Sequence, residues 1–370
     1  MKIELQLIGV VAAALVVALL VALVTTPVIK NLAFRVGAVD VPKDGRRMHD
    51  HPIPRMGGLA IFLGFLLSVL LFADLTTQLR GMLLGAVVIV VLGIFDDIYA
   101  LGAKFKLLIQ IAAALVAVLS GNVIEAVSNP NVFSANPYWE LGWLRIPVTV
   151  IWIVAITNAV NLIDGLDGLA CGVSTISSMT LLVISLVVAD TPVAILMAAL
   201  AGACVGFLPY NMNPAKIFMG DTGSTFLGYV LAVVSIQGLF KFYTIISFAV
   251  PFLMLGLPIF DTCFAFIRRI AHGQSPMHAD RSHVHHRLID MGFNQKQAVA
   301  VLYIISAILG LSAVVLTTSG ALKAMLLLVA LCAAGALSAR IFLNNNEKKL
   351  DGNRAPEKDP QTEQEGEDKP

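Results

Sequence analysis

Residues 5–28 read LQLIGVVAAALVVALLVALVTTPV, a run without a single charged side chain. A helix needs about 20 mainly apolar residues to cross the hydrocarbon core of a bilayer, so this segment is long enough to span a membrane. The whole chain of 370 residues has the same character, because 58% of its residues are hydrophobic and only 13% are charged. A soluble domain carries about 25% charged residues. The composition therefore predicts an integral membrane protein.

Further apolar stretches follow the first one, separated by charged residues or by proline and glycine. They predict an all-α, polytopic membrane protein with about eleven transmembrane helices. The first stretch lacks the charged n-region and the cleavage site of a signal peptide, so we expect it to be retained. The predicted spans are Leu5–Val28, Met56–Ala73, Leu79–Phe95, Phe105–Leu119, Pro147–Val160, Leu169–Ala189, Pro192–Leu208, Thr225–Leu239, Phe242–Ile267, Ala298–Thr317 and Ala321–Phe342.

The basic residues indicate the orientation, because positively charged loops tend to stay in the cytoplasm. Most of the 25 lysines and arginines lie in alternate loops on one side, together with the C-terminus. We therefore expect the N-terminus outside and the C-terminus in the cytoplasm. The loop 120–146 then lies outside, and its Tyr138, Trp139 and Trp143 predict an interfacial aromatic anchor.

Two parts of the chain differ in kind. Residues 1–343 form the predicted membrane domain, whereas residues 344–370 contain no apolar run and mix charged residues with proline. Such a composition is typical of a disordered segment, here a cytoplasmic tail.

A net charge of +1 without a basic, aromatic-rich face argues against nucleic acid as a partner. The cysteines, which lie in apolar runs and predict buried thiols rather than disulfides, are Cys171, Cys204, Cys263 and Cys332.

Asp96 and Asp97 end the third predicted span, in the sequence GIFDDIY. The pair is either a solvated helix terminus or a cation site. The helix dipole disfavours a carboxylate at a C-terminus, so two of them beside the membrane favour a bound cation. Oxygen donors without a neighbouring Cys or His favour Mg²⁺, with Mn²⁺ as a substitute, over zinc.

A second polar run, NAVNLIDGLDGLA, connects spans five and six. If it is helical, its polar residues Asn158, Asn161, Asp164 and Asp167 lie on one slowly rotating face. Such a face would be costly against lipid. It predicts either hydrogen bonding between helices or, as we favour, a ligand site that offers amide and carboxylate oxygens to a metal or to sugar and base hydroxyls.

The third motif is GDTGS, which begins with Gly220 and Asp221 at the start of span eight. It offers a carboxylate, two hydroxyls and backbone N–H groups at a helix N-terminus, where anions bind readily. An ordinary N-cap is the alternative. The motif gains weight because it lies on the same predicted side as the other two.

The fourth motif places His283, His285 and His286 between Arg281 and Arg287. This positive cluster suits phosphate or pyrophosphate oxygens. A zinc site is the alternative, but such close spacing rarely lets three imidazoles converge, and no Cys lies nearby.

Two further features leave alternatives open. Asp261 lies well inside the ninth predicted span, so it either faces the polar site or bonds a neighbouring helix. The basic loop from Arg46 to Arg55 either sets the topology or helps to bind phosphate.

In this order, the four motifs resemble the polyprenyl-phosphate N-acetylhexosamine-1-phosphate transferases of bacterial cell-envelope synthesis, over nearly all of residues 1–343. The chain looks most similar to the undecaprenyl-phosphate GlcNAc-1-phosphate transferases that start wall teichoic acid, enterobacterial common antigen and O-antigen lipopolysaccharide. The related phospho-MurNAc-pentapeptide transferases typically have three consecutive histidines, where this chain has His283-Val-His285-His286. That departure favours a GlcNAc-type donor.

The resemblance assigns roles to the motif residues. It implies catalytic roles for Asp96, Asp97, Asp164, Asp167, Asp221, His283, His285 and His286. It implies substrate binding by Asn158, Asn161, Asp164, Asp167, Gly220, Arg281, His283 and His286. It implies a Mg²⁺ site made by Asn161, Asp221 and Asp97.

The resemblance also implies the reaction. GlcNAc 1-phosphate passes from UDP-GlcNAc to undecaprenyl phosphate at the cytoplasmic face of the bacterial plasma membrane, and UMP leaves. A single displacement and a two-step route through a covalent aspartyl intermediate are both compatible with the residues. Dimers are common in the family, so the resemblance allows a homodimer.

Two interpretations from other functional classes compete with that of a transferase. Eleven spans with intramembrane carboxylates would suit a secondary transporter, but transporters usually place their sites near the bilayer midplane between repeats. Here the charged groups gather at one face. A non-catalytic scaffold that binds partners through its acidic tail is the second rival.

Overall fold

The computed structural model describes residues 2–42, 51–128, 138–238, 245–271 and 283–319, and the single positions 323, 327 and 329. Within these ranges the chain is mainly helical. The helices are α1 (Lys2–Val36), α2 (Gly58–Phe72), α3 (Thr77–Tyr99), α4 (Ala103–Leu119), α5 (Arg145–Leu162), α6 (Leu169–Val187), α7 (Thr191–Asn211), α8 (Gly220–Gly238), α9 (Ile245–Met254), α10 (Gly256–Ala271), α11 (Val284–Asp290) and α12 (Gln295–Ser319). The strands are β1 (Val39–Asp40), β2 (Ile53–Pro54), β3 (Ala126–Ser128) and β4 (Tyr138–Glu140).

Six of the described helices, α1, α3, α5, α6, α7 and α12, are long and apolar enough to cross a membrane. The apolar helix α2 is shorter, at 15 residues. The helical, multi-pass architecture expected from the sequence is therefore confirmed, whereas the count of eleven spans and the orientation stay predictions. The tail 344–370 and nearly all of the eleventh predicted span lie outside the described residues.

The ninth predicted span is not one continuous helix, because α9 ends at Met254 and α10 begins at Gly256. Pro258 has no N–H group to donate to the carbonyl of Met254, four residues earlier. The hydroxyl of Ser177 on α6 donates to that carbonyl instead, at 2.7 Å. The interruption therefore leaves the Met254 carbonyl with a partner, and it begins a separate helix that carries Asp261.

Small residues bring α1, α2 and α7 close together. A Cβ atom added at Gly202 or Gly206 of α7 would overlap a backbone carbonyl of α1. Glycines four residues apart let helix backbones approach closely inside a bilayer, where packing drives association. The α2 helix also reaches α8, because Gly58 lies directly against Gly223.

The strand pair β1–β2 connects the N-terminal helices to the start of α8. The two strands are antiparallel, with Val39 opposite Pro54. The carbonyl of Pro54 accepts the backbone N–H of Phe218 at 2.8 Å, and the N–H of Gly58 donates to the carbonyl of Met219 at 2.8 Å. Residues 51–58 are thereby fixed beside the segment that precedes Gly220.

The exposure of the tryptophans and cysteines agrees with the predictions from the sequence only in part. Trp139, on β4, and Trp143, shortly after it, are 54% and 82% exposed, so both are free to meet a membrane interface. Cys171 and Cys204 are buried as expected, but Cys263 is exposed, because it lies on the outer face of α10. Cys332 lies outside the described residues.

Candidate active site

Asp97 joins the first motif to the third. Its Oδ1 accepts the backbone N–H of Asp221 at 2.9 Å. Its Oδ2 accepts the backbone N–H of Thr222 at 3.1 Å and the hydroxyl of Thr222 at 2.6 Å. The first N–H groups of a helix have no partner within the helix, and its dipole favours a carboxylate there. The buried Asp97 therefore caps α8 from α3.

The cap also explains Gly220. This residue has a φ of +72°, a conformation that glycine adopts at little cost. A Cβ atom at this position would overlap the carboxylate of Asp97. Gly220 therefore lets the start of α8 lie directly against the carboxylate of Asp97.

A lysine lies between two site carboxylates. The Nζ of Lys106 on α4 donates to Oδ2 of Asp96 at 2.8 Å and to Oδ2 of Asp221 at 2.7 Å. The other oxygen of Asp96 accepts the backbone N–H of Leu101 at 2.7 Å. One ammonium group therefore holds the first and third motifs together from a third helix.

The two asparagines of the second motif have different partners. The Nδ2 of Asn161 donates to the hydroxyl of Ser224 on α8 at 2.8 Å, so it faces the third motif. The Nδ2 of Asn158 donates to Oε1 of Gln110 on α4 at 2.7 Å. For Asn158 this is the hydrogen bonding between helices that the sequence left as an alternative, and its role in substrate binding stays a prediction.

The aspartates of the second motif lie in a loop and not on a helical face. The α5 helix ends at Leu162 and α6 begins at Leu169, and Gly168 has a φ of +78°. The Oδ2 of Asp167 accepts the Nδ2 group of Asn213 at 2.9 Å and the backbone N–H of Ala215 at 3.0 Å. Asp167 therefore fixes the loop that leads from α7 to α8.

Asp164 lies in the same loop and is partly exposed. Burial, followed by the negative charges of Asp221 and Asp97, raises the pKa of Asp164 to about 8. A carboxyl group near other carboxylates resists ionisation because like charges repel each other. The carboxyl group of Asp164 therefore largely keeps its proton at pH 7.

The histidine motif contacts the second motif through a glycine. The imidazole of His285 lies so close to Gly165 that a Cβ atom at this position would overlap the ring. The rings of His283 and His285 stack with centroids 5.7 Å apart, and those of His285 and His286 are 4.3 Å apart. All four motifs are thereby assembled around one region.

Burial and the neighbouring imidazole of His286 lower the pKa of His285 to about 4. His285 is therefore neutral at pH 7, and it adds no positive charge to the cluster that the sequence predicted. Arg281, the remaining predicted binding residue, lies outside the described residues.

The role of Lys106 was not predicted from the sequence, where this residue counted only as one of the charges that set the orientation. A lysine at the edge of an apolar span is costly without a partner, and that cost was the available signal. Arg55 is a second cation beside the carboxylates, because its charge lowers the pKa of Asp164 against the causes that raise it. Its Nη2 forms an ion pair with Oδ2 of Asp40 at 3.1 Å.

No cluster of three His, Cys, Asp or Glu side chains in the described part of the chain makes a ready metal cage. Mg²⁺ is commonly held by one or two carboxylates together with substrate phosphates. The oxygen donors of Asp221 and Asn161 fit that kind of site, because Asp221 lies beside the carboxylates of Asp96 and Asp97.

Comparisons with known proteins agree with the family resemblance found in the sequence. A family model described as glycosyl transferase family 4 matches residues 79–239. The chain is 46% identical over 307 residues to a probable undecaprenyl-phosphate N-acetylglucosaminyl 1-phosphate transferase of Bacillus subtilis, with 83% of this chain and 85% of the relative covered.

More distant relatives match over a similar length. A decaprenyl-phosphate N-acetylglucosaminephosphotransferase of Mycolicibacterium smegmatis is 35% identical, with 81% of this chain and 79% of the relative covered. A phospho-N-acetylmuramoyl-pentapeptide-transferase of Staphylococcus aureus is 30% identical, with 80% and 95% covered. The chain therefore belongs to the family of polyprenyl-phosphate N-acetylhexosamine-1-phosphate transferases, within glycosyl transferase family 4.

Proposed function

We propose that this protein transfers GlcNAc 1-phosphate from UDP-GlcNAc to undecaprenyl phosphate and releases UMP. The product, undecaprenyl-diphosphate-GlcNAc, would start a cell-envelope polysaccharide or teichoic acid. One observation carries the proposal: Lys106 holds Asp96 and Asp221 together at the point where Asp97 caps α8. The 46% identity to the Bacillus subtilis relative supports the GlcNAc donor.

The reaction is a displacement at phosphorus. An oxygen of the carrier phosphate attacks the sugar-linked phosphorus of the donor. The bond from that phosphorus to the bridging oxygen breaks, and UMP leaves with that oxygen. A phosphate with a second pKa near 6 is largely ionised at pH 7, so most of the catalysis must come from alignment and charge neutralisation.

Lys106 and Arg55 are the described cations that support this chemistry. Both substrates carry negative phosphates, and both side chains are already close to the site carboxylates. A lysine ammonium can change partners between a carboxylate and a phosphate because it is a compact charge on a flexible stem. We infer that Lys106 turns from Asp221 towards substrate phosphate when the donor binds.

We further propose that Asp221 and Asn161 hold Mg²⁺ together with the donor diphosphate. The bound cation would neutralise the diphosphate and polarise the reacting phosphorus. Both oxygens of Asp97 already accept hydrogen bonds from α8, which supports a positioning role for Asp97 over that of metal ligand, base or nucleophile. Asp167 supports the site in the same way, by holding the loop before α8.

The test is UMP release from purified protein in lipid nanodiscs. The reaction contains undecaprenyl phosphate, Mg²⁺ and, in separate arms, UDP-GlcNAc, UDP-GalNAc or UDP-MurNAc-pentapeptide. We expect UMP with UDP-GlcNAc only when lipid phosphate is present. If UDP-MurNAc-pentapeptide were the only donor that gave UMP, the GlcNAc assignment would be overturned. Solute uptake into vesicles without UMP release would favour a transporter.

We propose the bacterial plasma membrane as the location, with the site on its cytoplasmic face and a homodimer as the assembly. The excess of Lys and Arg in loops on the side of the four motifs supports the orientation. Deletion of residues 344–370 should leave transfer intact, whereas a scaffold that acts through this tail would lose its role. Labelling of single cysteines introduced in the loop 120–146, in intact cells, tests the orientation directly.

A further inference from the structure

Asp261 is a buried carboxylate that the reaction described above does not use. It lies on α10 and is 4% exposed. Its Oδ2 lies 2.8 Å from Nδ1 of His283, and its Oδ1 accepts the backbone N–H of Val284 at 2.8 Å. Both carboxylate oxygens therefore form hydrogen bonds with the residues where α11 begins.

This contact determines the form of the His283 ring. An ionised carboxylate only accepts hydrogen bonds, so the Nδ1 atom that faces it must carry a proton. In the neutral ring, the lone pair then lies on Nε2. The hydrogen bond at one ring nitrogen sets what the other nitrogen can do.

The orientation of His283 matters to the whole site. Its ring is buried and stacks parallel to the ring of His285, with an interplanar angle of 5°. His285 in turn lies against Gly165, between the two aspartates of the second motif. A rotation of the His283 ring would therefore disturb a stack that reaches the carboxylates.

We propose that Asp261 is a positioning residue that holds His283 in the Nδ1–H tautomer, so that Nε2 accepts a hydrogen bond from a substrate O–H group. That group is either a hydroxyl of the donor sugar or a protonated oxygen of the carrier phosphate. The inference rests on the proposed function for its substrates, but the tautomer itself does not depend on them.

The wild-type protein tests the tautomer directly. A long-range ¹H–¹⁵N spectrum of protein labelled with ¹⁵N-histidine in nanodiscs distinguishes Nδ1–H from Nε2–H rings, and His283→Gln assigns the signal. We expect the Nδ1–H form for His283. An Nε2–H signal in the wild-type protein would overturn the proposal, even if the protein is an active transferase.

The variant Asp261→Asn distinguishes two roles of Asp261: control of the His283 tautomer, and the hydrogen bond to Val284 that holds the start of α11. The asparagine Oδ1 still accepts the N–H of Val284, but its amide group donates to Nδ1 and forces the proton to Nε2. We expect a melting temperature near that of the wild type and a kcat lower by about 10- to 100-fold, the usual cost of losing a group that orients a site histidine. Asp290→Asn, which changes an exposed carboxylate at the end of α11, the helix that begins beside Asp261, is the matched control and should keep the wild-type kcat.

The kinetic constants show which substrate carries the O–H group that His283 contacts. A higher KM for UDP-GlcNAc places it on the donor, and a higher KM for undecaprenyl phosphate places it on the carrier. Wild-type kcat and KM values in folded Asp261→Asn would contradict the proposal. If wild-type protein releases no UMP with any donor, the proposed function fails, while the spectrum still decides the tautomer.

Discussion

The ammonium group of Lys106 lies 2.7 Å from Oδ2 of Asp221, although the two residues are 115 positions apart in the chain. Lys106 belongs to α4 and Asp221 to the first turn of α8. Because Lys106 also contacts Asp96, its removal leaves two carboxylates to repel each other. This ion pair therefore joins the first and third motifs through α4.

Lys106→Gln should lower the rate of UMP release by about 100-fold, within the range found when one charge-stabilising donor is removed from an active site. Lys104→Gln is the matched control, because Lys104 is exposed on the same helix and should keep its activity. Steady-state kinetics at saturating Mg²⁺ provide the measurement. Equal rates for Lys106→Gln and the wild type would show that the lysine is dispensable.

Asp221→Asn should abolish most Mg²⁺-dependent turnover without preventing expression. A ligand that binds only the folded state raises the melting temperature, so we expect Mg²⁺ with UDP-GlcNAc to stabilise the wild type and not this variant. Asp74→Asn changes an exposed carboxylate in the α2–α3 connection and should behave as the wild type. A fully active Asp221→Asn protein would contradict the assigned metal site.

Asp97→Asn should destabilise the fold as well as the reaction. An asparagine keeps only one oxygen acceptor, so its amide NH2 group would face the backbone N–H of either Asp221 or Thr222 and leave that buried donor unpaired. Such a loss costs about 1–3 kcal/mol. Asp190 is the matched control, because it caps α7 by accepting the N–H of Val193 at 3.3 Å, and an asparagine there caps a helix about as well as an aspartate.

The two variants can be compared by thermal unfolding in the same nanodiscs. We expect a clear drop in melting temperature for Asp97→Asn and little change for Asp190→Asn. Identical curves would mean that the buried cap contributes nothing special to the stability of α8.

Gly165→Ala should push His285 of the fourth motif away from the loop of the second motif and lower kcat. The new methyl group would overlap the imidazole of His285, and misplacement of a site group by about 1 Å can cost roughly 100-fold in rate. Gly9→Ala is the control, because nothing lies within 4 Å of that position. A Gly165→Ala protein with wild-type kcat would show that His285 need not lie against the loop.

The pKa of His285 predicts how stability changes with pH. Its folded value of about 4 lies below the ordinary value of 6.5, so the unfolded chain binds more protons between these two values. Stability is therefore fully present above about pH 6.5 and falls as the pH decreases towards 4, by up to about 3 kcal/mol.

His285→Gln should remove this part of the acid sensitivity. The measurement is the difference in melting temperature between pH 7 and pH 4.5, in the wild type and in the variant. We expect a smaller difference in the variant. The same difference in both proteins would mean that other groups cause the loss of stability in acid.

Several features of the site were predictable because they depend on local sequence. The carboxylates at the end of α3 and the GDTGS start of α8 lie where hydropathy places helix ends. The second motif was predicted less well. Asn161 faces Ser224 as a ligand-bearing helix residue would, but Gly165 and Gly168 end the helical pattern, so Asp164 and Asp167 lie in a loop.

By itself, the amino-acid sequence determined that the chain is a helical membrane protein, and it predicted which four motifs carry its chemistry, because apolar spans and charged motifs are local patterns. Only the tertiary structure decided which polar groups meet: Lys106 with Asp221, Asp97 with Thr222, Asn158 with Gln110 and Asp261 with His283. The partners lie 22 to 125 positions apart in the chain. Their formation depends on how closely the helices pack, as where Gly93 of α3 lies against Thr222 of α8, and no local pattern encodes that.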